Sequence, residues 1–400
     1  MPLFQRTLAP ILGPRPDLAW ASGAVFNPGA HRDADGTTHL LVRAIGAGYE
    51  KHALAAHDVY EGAHTFTDYV STIGHATSRD GLAFTLDPEP VLVPGDTFDR
   101  FGVEDPRVTV LGGTVYVTYT ALARPAFGDE EGVGIGLAST TDFRRFEKHG
   151  LIGPPGVRDK DAVLFPRLIG GRVAMLHRVV PDIQIAYFAD EGELRAPSAG
   201  YWERYLHRLD AHVVLRPEHR WEGKKIGAGP PPIETPDGWL LLYHGADRDH
   251  VYRAGIALLD LDDPQRVLAR CAGPVLEPET PWERAGDVPN VVFPQGLTLD
   301  DRGDLHVYYG AADRAIGHAR APLADVLAAL REARRTTWRM PPVSMQARRD
   351  GGLFPDPLPT ASPVTAERLH GGHPVLSPVA SHPWESRVVL NPAAVFLADP

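Results

Sequence analysis

The sequence has 400 residues, of which 43% are apolar and 23% charged, as is ordinary for a globular protein with a hydrophobic core. The formal net charge is −11 and Lys and Arg form no run longer than two neighbours, which argues against a nucleic acid or an anionic membrane as partner. The single cysteine, Cys271, excludes an internal disulfide framework. Since we find neither a signal peptide nor a stretch of the ~20 apolar residues that a membrane span needs, we predict a cytoplasmic protein.

Five similar units follow one another along the chain. The clearest copies begin with apolar residues, Leu-x-Pro and a polar stretch, and end in two strands joined by a turn. The units begin at Pro10, Pro90, Gly150, Val213 and Pro274. Their starts lie roughly sixty residues apart, except for a longer first interval in which residues 46–72 look like an insertion. Units of about four strands are typical of propeller blades, so we predict an all-β fold, a five-bladed β-propeller. A β-sandwich is the alternative, but it gives no reason for the repetition.

A helix and an extension follow the fifth unit. Residues 321–335 carry apolar side chains at helical spacing, namely Leu323, Val326, Leu327 and Leu330. We therefore predict a propeller domain over residues 1–335 with a C-terminal helix, and a Pro-rich linker over residues 336–369. Residues 370–400 repeat part of the first unit. Either they close the ring against the first blade, or they begin a second propeller that is cut off, which we favour because five complete units precede them.

Polar residues recur at equivalent positions of the five units. A propeller gathers its site at one end of the central channel, where the innermost strand of every blade presents side chains. The candidates in chain order are Asn27, Arg43, Glu104, Asp105, Arg107, Lys160, Asp161, His177, Arg178, Lys224, Lys225, His244, Asn290 and Asp313. Each has an ordinary alternative as a turn cap, strand terminus or surface charge, but recurrence in successive blades favours a functional role.

The candidates combine a few carboxylates with several cations. Such cations suit an oxyanion substrate, phosphate above all, because Arg binds it in bidentate fashion and Lys supplies a point charge. Inverting hydrolysis of a glycoside normally needs a second carboxylate as base, whereas phosphate is already an anion. Metal-ligand spacing, a Gly-rich phosphate loop and a recognisable Ser–His–Asp triad are absent from the sequence, so we expect no metal and no cofactor.

An acidic pair interrupts the strand pattern of FGVEDPRVTV, residues 101–110. Asp and Glu are depleted in strands, and like charges side by side repel each other. We predict that Asp105 faces the channel, while Glu104 alternates to the other side and pairs with a neighbour such as Arg107. A turn cap at Asp105 is the structural alternative.

Many short motifs, in family order, resemble those of glycoside hydrolase family 130, the β-mannoside phosphorylases and related enzymes. They include VFNPGA, HLLVRA, TSRDGLAF, GVEDPRVT, KDAVLFP, AMLHR, KKIGAGPPPI, WLLLYHGAD, VVFPQG and YYGAADRAIGHA. The resemblance extends over nearly all of the five units. The family fold is a five-bladed β-propeller, in agreement with the number of repeats.

The resemblance implies a reaction and its residues. Asp105 would be the general acid, passing a proton to the glycosidic oxygen through a hydroxyl of the bound mannose. Inorganic phosphate, the co-substrate, would attack the anomeric carbon from the opposite face and give α-mannose 1-phosphate. The phosphate-binding residues would be Arg43, Lys160, Lys225 and His244, and the sugar-binding residues Asn27, Asp161, Arg178 and Asp313. Because phosphorylases of this kind often associate, a homo-oligomer is also expected.

Two other functions stay open at this point. Some family members are hydrolases that have lost phosphate-binding cations, so the chain could be an inverting β-mannosidase with one of three bases, Asp161, Glu234 or Asp313. A non-catalytic carbohydrate-binding propeller ranks lowest, because sugar stacking needs an aromatic platform. The tryptophans in the repeats lie instead in strand or framework positions: Trp202, Trp221, Trp239 and Trp282. The linkage, β-1,2 or β-1,4, and the acceptor sugar are not specified by the sequence.

Overall fold

The computed structural model describes residues 2–53, 64–95, 97–125, 132–198 and 200–338. The strands in these ranges form five antiparallel sheets, four with four strands and one with an additional short strand, and a separate two-stranded hairpin. The first strands of neighbouring sheets contact one another around a common axis. The fold is the predicted five-bladed β-propeller.

The first two blades lie within residues 24–151, after a two-residue strand β1 (Gln5–Arg6). Blade 1 and the hairpin inserted in it comprise β2 (Ala24–Arg32), β3 (Thr38–Ile45), the hairpin strands β4 (Glu50–Ala53) and β5 (His64–Thr67), β6 (Thr72–Ser78) and β7 (Thr85–Leu86). Blade 2 comprises β8 (Val103–Leu111), β9 (Thr114–Leu122), β10 (Val133–Thr140) and β11 (Glu147–Leu151).

The other three blades follow in chain order. Blade 3 comprises β12 (Lys160–Leu164), β13 (Val173–Arg178), β14 (Ile183–Phe188), helices α1 (Glu191–Arg195) and α2 (Tyr201–Leu206), and β15 (Val213–Leu215). Blade 4 comprises β16 (Lys225–Ala228), β17 (Ile233–Thr235), β18 (Gly238–Ala246), β19 (Tyr252–Leu259) and β20 (Val267–Arg270). After α3 (Pro281–Arg284), blade 5 comprises β21 (Val292–Leu299), β22 (Asp304–Ala311) and β23 (Ala315–Pro322), and α4 (Leu323–Trp338) ends the described chain.

Hydrophobic cores fill the spaces between adjacent blades. Leu41 and Val108 belong to the core between blades 1 and 2, for example, whereas Val42 and Tyr308 belong to the core between blades 1 and 5. Each sheet is therefore covered on both faces, which explains why every residue of β18 is buried. Burial of each Val or Leu side chain contributes about 1.5–3 kcal/mol. The circular arrangement of these cores makes each blade depend on its two neighbours.

The ring is closed by the N-terminal strand. β1 pairs antiparallel with β23, with Gln5 opposite Arg320 and Arg6 opposite Ala319, and so becomes the fourth strand of blade 5. Arg6 Nη1 also donates to both carboxylate oxygens of Glu283 at 2.8 Å.

The predicted C-terminal helix is present as α4. Val326, Leu327 and Leu330 are buried in the core between blades 4 and 5. The predicted linker over residues 336–369 and the partial repeat over residues 370–400 lie outside the described residues, except for 336–338, which complete α4. Among the helices described, none has both the length and the apolar character required to cross a bilayer.

Candidate active site

Three polar residues of the inner strands share an unusual backbone conformation. Asn27, Asp105 and Asp161 have φ angles of 44°, 52° and 58°. The pairing of each inner strand with its neighbour shifts register at these residues. Asn and Asp tolerate positive φ better than most residues, and such an irregularity re-aims a strand side chain. Backbone strain of this kind costs about 1–3 kcal/mol per residue and is concentrated at functional sites.

A first buried group, which we call the Arg43 cluster, consists of Asn27, Arg43, Ser71, Glu104 and Asp105. Arg43 donates to Asp105 Oδ1 at 3.1 Å, to Glu104 Oε1 at 2.5 Å and to Ser71 Oγ at 2.9 Å. Asn27 Nδ2 donates to the same Asp105 oxygen at 2.8 Å. Since arginine carries five N–H donors, these bonds fix the guanidinium and leave it capacity for a bound anion.

The prediction that Glu104 pairs with Arg107 is wrong. Both Glu104 and Asp105 contact Arg43, which blade 1 supplies. The register shift after Glu104 interrupts the strand alternation, so two consecutive side chains can reach one guanidinium. Arg107 forms its ion pair with Asp161 of blade 3 instead, at 2.9 Å.

A second buried group, which we call the Asp161 cluster, consists of Arg107, Asp161, Arg178 and His244. Asp161 Oδ1 accepts from Arg107 Nη2 at 2.9 Å, and Asp161 Oδ2 lies 2.8 Å from Arg178 Nη1 and 3.4 Å from His244 Nε2. Glycine at position 227 makes this approach possible, because a Cβ atom there would lie only 2.3 Å from Asp161 Oδ2.

The two carboxylates of the Arg43 cluster have different ionisation properties. Burial raises the pKa of Asp105, but Arg43, Lys160 and Arg107, with the hydrogen bond from Asn27, more than offset it and hold the pKa below its usual value. At Glu104 burial outweighs the charges of Arg43 and Lys160, and the pKa is raised. Asp105 is therefore the member of the pair that ionises more readily in the free protein.

The pKa values of two members of the Asp161 cluster are also shifted. Burial opposes ionisation of Asp161, but Arg178, His244 and Arg107 hold its pKa well below the usual value. Burial lowers the pKa of His244 to about 4, although Asp161 acts in the opposite direction. The imidazole is thus neutral near pH 7 and can offer phosphate a hydrogen bond but not a positive charge. Its Nδ1 has no hydrogen-bond partner among the residues that the structure describes.

The predicted lysines lie beside the two clusters. Lys160 begins β12 opposite Arg178, and its charge lowers the pKa of both Glu104 and Asp105. Lys225 is buried at the start of β16, with Nζ 5.6 Å from the ring centroid of Tyr252.

Asp313 lies in the turn between β22 and β23, again with positive φ, at 52°. Burial raises its pKa to about 7; Arg43 opposes this, while Asp105, Asp287 and Glu104 add to it. The Asp313 carboxyl is thus close to half-protonated at neutral pH.

Some sequence candidates lie outside these clusters. His177, next to Arg178, points into a blade core and contacts Asp159 Oδ2 at 2.7 Å and the Tyr205 hydroxyl at 2.6 Å. Lys224 Nζ lies 3.2 Å from His250 Nδ1. Glu234 is on β17 opposite Trp239, near the far end of β18 from His244, so it is not placed to act as a base there. The four tryptophans named above belong to interblade cores.

Sequence reasoning missed Gln295. It is fully buried, and its Nε2 donates to the backbone carbonyls of Asn27 at 3.1 Å and Pro106 at 2.8 Å. An uncharged amide gave no chemical reason to be singled out. The signal that could have found it was its position in the repeat. The residues PQG in β21 stand where β2 has NPG and β8 has DPR.

The inserted hairpin lies near the Arg43 cluster, because Phe66 of β5 packs against Tyr69 with ring centroids 4.5 Å apart. Tyr49 donates to Asp287 Oδ2 at 2.5 Å and Lys51 Nζ to the Asp287 carbonyl at 2.7 Å, so the hairpin reaches from blade 1 to the loop before blade 5. The ring centroids of Phe26 and Tyr69 lie 4.6 Å and 5.7 Å from the Arg43 guanidinium carbon. These aromatic contacts favour a positive charge at this position.

Comparison with known proteins gives a family match over most of the chain. The model of glycoside hydrolase family 130, described as β-1,4-mannooligosaccharide phosphorylase, matches residues 23–332. This range contains every predicted site residue.

Individual relatives agree with this match. The chain is 38% identical over 320 residues to a 1,2-β-oligomannan phosphorylase of Thermoanaerobacter sp. (strain X514), covering 79% of this chain and 96% of that protein. A β-1,2-mannobiose phosphorylase of the same organism is 38% identical over 313 residues, covering 78% and 94%. The solved β-1,2-mannobiose phosphorylase of Listeria innocua, in complex with β-1,2-mannobiose, superposes with a TM-score of 0.65 at 30% identity, covering 82% of this chain and 99% of that one. The chain belongs to glycoside hydrolase family 130.

Proposed function

We propose that this protein is a phosphorylase of β-linked mannosides, with β-1,2-linked manno-oligosaccharides as the preferred class. The observation that carries the proposal is a buried carboxyl group, Asp105, which contacts Arg43 and feels the charges of Lys160 and Arg107. The β-1,2 preference is supported by the names of the two relatives at 38% identity and of the solved structure described above.

Phosphate is the acceptor that best suits the charges of the site. Arg43, Lys160 and Lys225 supply positive charge, and neutral His244 supplies a hydrogen bond. Arginine and lysine form strong charge-assisted hydrogen bonds with phosphate oxygens. We assign the mannose subsite to Asn27, Asp161, Arg178 and Asp313.

The proposed reaction displaces the glycosidic oxygen in one inverting step. A phosphate oxygen forms a bond to the anomeric carbon as the bond from that carbon to the glycosidic oxygen breaks. A hydroxyl of the bound mannose protonates the departing oxygen and takes a proton from Asp105. The proton carried in by hydrogen phosphate later restores Asp105, so the products are α-mannose 1-phosphate and an acceptor with a new hydroxyl.

The low pKa of Asp105 in the free protein is compatible with this role. Arg43 and Lys160 are principal causes of the low value. A phosphate dianion beside these cations offsets their charge and raises the pKa of Asp105. Binding of the nucleophile would therefore prepare the acid.

An inverting β-mannosidase is the second candidate, because of Asp313. Its pKa of about 7 suits a group that activates water near neutral pH. Asp161 is a weaker candidate for this base, since its pKa is well below the usual value.

One experiment separates the two functions. The protein is incubated with β-1,2- and β-1,4-mannobiose and mannotriose, with phosphate, with sulfate as a matched anion, or with neither. We expect α-mannose 1-phosphate, identified by ³¹P and ¹H NMR, only in the phosphate samples and chiefly from the β-1,2 substrates. Free mannose at equal rates in all three buffers would establish the hydrolase and overturn the phosphorylase proposal.

A further inference from the structure

Two fully buried polar side chains, Arg107 and Gln295, occupy the centre of the inner-strand ring. We call this pair the central bridge. Gln295 of blade 5 donates to the backbone carbonyls of Asn27 in blade 1 and Pro106 in blade 2. Arg107 of blade 2 donates to Asp161 of blade 3 and reaches the start of the loop after β16 in blade 4. The two side chains together connect all five blades.

The carbonyls that accept these bonds lie at interruptions of the sheet ladders. Asn27 is skipped where β2 pairs with β3, and Asp105 and Pro106 are skipped where β8 pairs with β9. Gln295 donates hydrogen bonds to the backbone carbonyls of Asn27 and Pro106, while Arg107 Nη1 donates to the Asp105 carbonyl at 3.0 Å. A buried carbonyl without a partner is costly, so the central bridge supplies bonds that the sheet cannot make at a bulge.

Arg107 also donates hydrogen bonds to blades 3 and 4. Its Nε donates to the Gly229 carbonyl at 3.1 Å and its Nη2 to the Ala228 carbonyl at 3.1 Å. The same Nη2 holds Asp161 at 2.9 Å. Arg107 is therefore engaged by the protein on several sides, unlike a residue reserved for a ligand.

We propose that Gln295 and Arg107 are positioning residues, which hold the left-handed backbone at Asn27 and Asp105 so that the Asp105 carboxylate meets Arg43 and the substrate. This role rests on the proposed function for its catalytic consequence, but its structural consequence can be measured without substrate. This role differs from a packing role, because Gln295 would affect the Asp105 carboxylate without contacting it.

The test begins with Gln295→Met, which keeps the length of the side chain and removes its donor. Misplacement of a reacting group by about 1 Å costs roughly 100-fold in rate, so we expect kcat to fall 10- to 100-fold while KM for phosphate changes less than about threefold. Loosening the contact between Arg43 and Asp105 removes a cause of the low pKa, so the Asp105 pKa should rise. ¹³C NMR of carboxyl-labelled protein measures this pKa, with Asp105→Asn to assign the resonance.

Gln295→Glu provides a conservative rescue. A carboxyl buried against two carbonyl oxygens has a raised pKa and stays protonated near neutral pH, so it can donate one hydrogen bond. We expect it to recover part of the lost kcat and to lose that recovery as the pH rises. Thr109→Val is the matched control, since Thr109 on the same strand, β8, also donates across blades, to the Leu164 carbonyl at 3.3 Å. The control should leave kcat and the Asp105 pKa unchanged.

The outcomes separate the inference from the proposed function. If the wild type forms α-mannose 1-phosphate and Gln295→Met keeps its kcat and its Asp105 pKa, the positioning role is overturned and the function stands. If the wild type acts on none of the mannosides, the function fails, and the NMR titration alone decides the inference. If Gln295→Met does not fold, Gln295→Glu is assayed instead, and a ratio of its kcat to that of wild type that stays constant as position 295 ionises overturns the role.

Discussion

The Arg43 cluster and the Asp161 cluster are built from the same kinds of side chain in opposite proportions. The Arg43 cluster sets two carboxyl groups against one guanidinium, whereas the Asp161 cluster sets one carboxylate against two guanidiniums and a neutral imidazole. The burial of both clusters limits screening by solvent and salt. The site thus has an acidic side and a cationic side, and the proposed phosphate ligands come from both, Arg43 from the first and His244 from the second.

The division also explains why each side chain depends on its partners. Removing one member of a buried ion pair leaves an uncompensated charge and typically costs 3–5 kcal/mol. Conservative replacements that keep shape are therefore the sharpest probes of the two sides, and controls should be residues with similar burial elsewhere in the propeller.

The largest effect is expected on the acidic side, from Asp105→Asn. Loss of a general acid typically costs 10²–10⁴ in rate, so we expect kcat for phosphorolysis to fall about 10³-fold with little change in KM for phosphate. Asp99→Asn is the control, because Asp99 is buried and pairs with Lys148 in blade 2. Full activity of Asp105→Asn in a phosphate-consumption or NMR assay would remove Asp105 from the mechanism.

A smaller effect is expected from replacing Lys225 of blade 4. Lys225→Met should raise KM for phosphate about 10- to 100-fold, the value of one charge-assisted hydrogen bond, and change KM for the mannoside little. Lys224→Met offers a matched control, because Lys224 is adjacent in sequence but contacts His250. Equal phosphate KM values for the two variants, in initial-rate kinetics, would place the phosphate elsewhere.

Asp313, near the Arg43 cluster, should also make the stability of the protein depend on pH. Burial raises the pKa of Asp313 to about 7, so the folded state binds a proton that the unfolded state has released. This contribution to stability is present below about pH 4, declines as pH rises through about 7 and is then lost. We expect the Tm of wild type minus that of Asp313→Asn to decrease between pH 4 and 8. A flat difference in calorimetry would show that Asp313 does not titrate in this range.

The smallest effect is expected at the exposed ion pair of Asp301 with Arg32, 2.9 Å apart. Asp301→Asn changes the net charge of the chain by the same amount as Asp105→Asn. Surface pairs contribute about 0–1 kcal/mol, so we expect a small change in the free energy of unfolding and kcat/KM within about twofold of wild type. A tenfold loss of kcat/KM would mean that total charge, and not the local division, governs the reaction.

The blade repeat was predictable from sequence because each blade is a local unit. Strands, turns and the apolar pattern of α4 are all encoded within short windows, and the number of blades follows from counting them. The closing strand was not predictable in this way. β1 has only two residues, and its partner β23 lies at the other end of the propeller sequence.

The site was predictable as a set of residues but not as a set of contacts. Equivalent positions in successive units pointed to Asn27, Asp105 and Asp161, of which the first two are each followed by proline. The partners of Glu104 and Arg107 come from other blades, and the register shift at Asp105 breaks the alternation on which the pairing was predicted. Gln295 acts through backbone carbonyls, which no side-chain pattern reveals.

The closure of blade 5 by β1 has a consequence for biosynthesis. Gln5 is synthesised long before its partner Arg320, so the seam between them cannot form until all five blades have left the ribosome. Contacts between residues so distant in sequence slow folding and prolong exposure of unpaired strand edges. β1 would await its partner longest, and the nascent chain should rely on chaperones most during that interval.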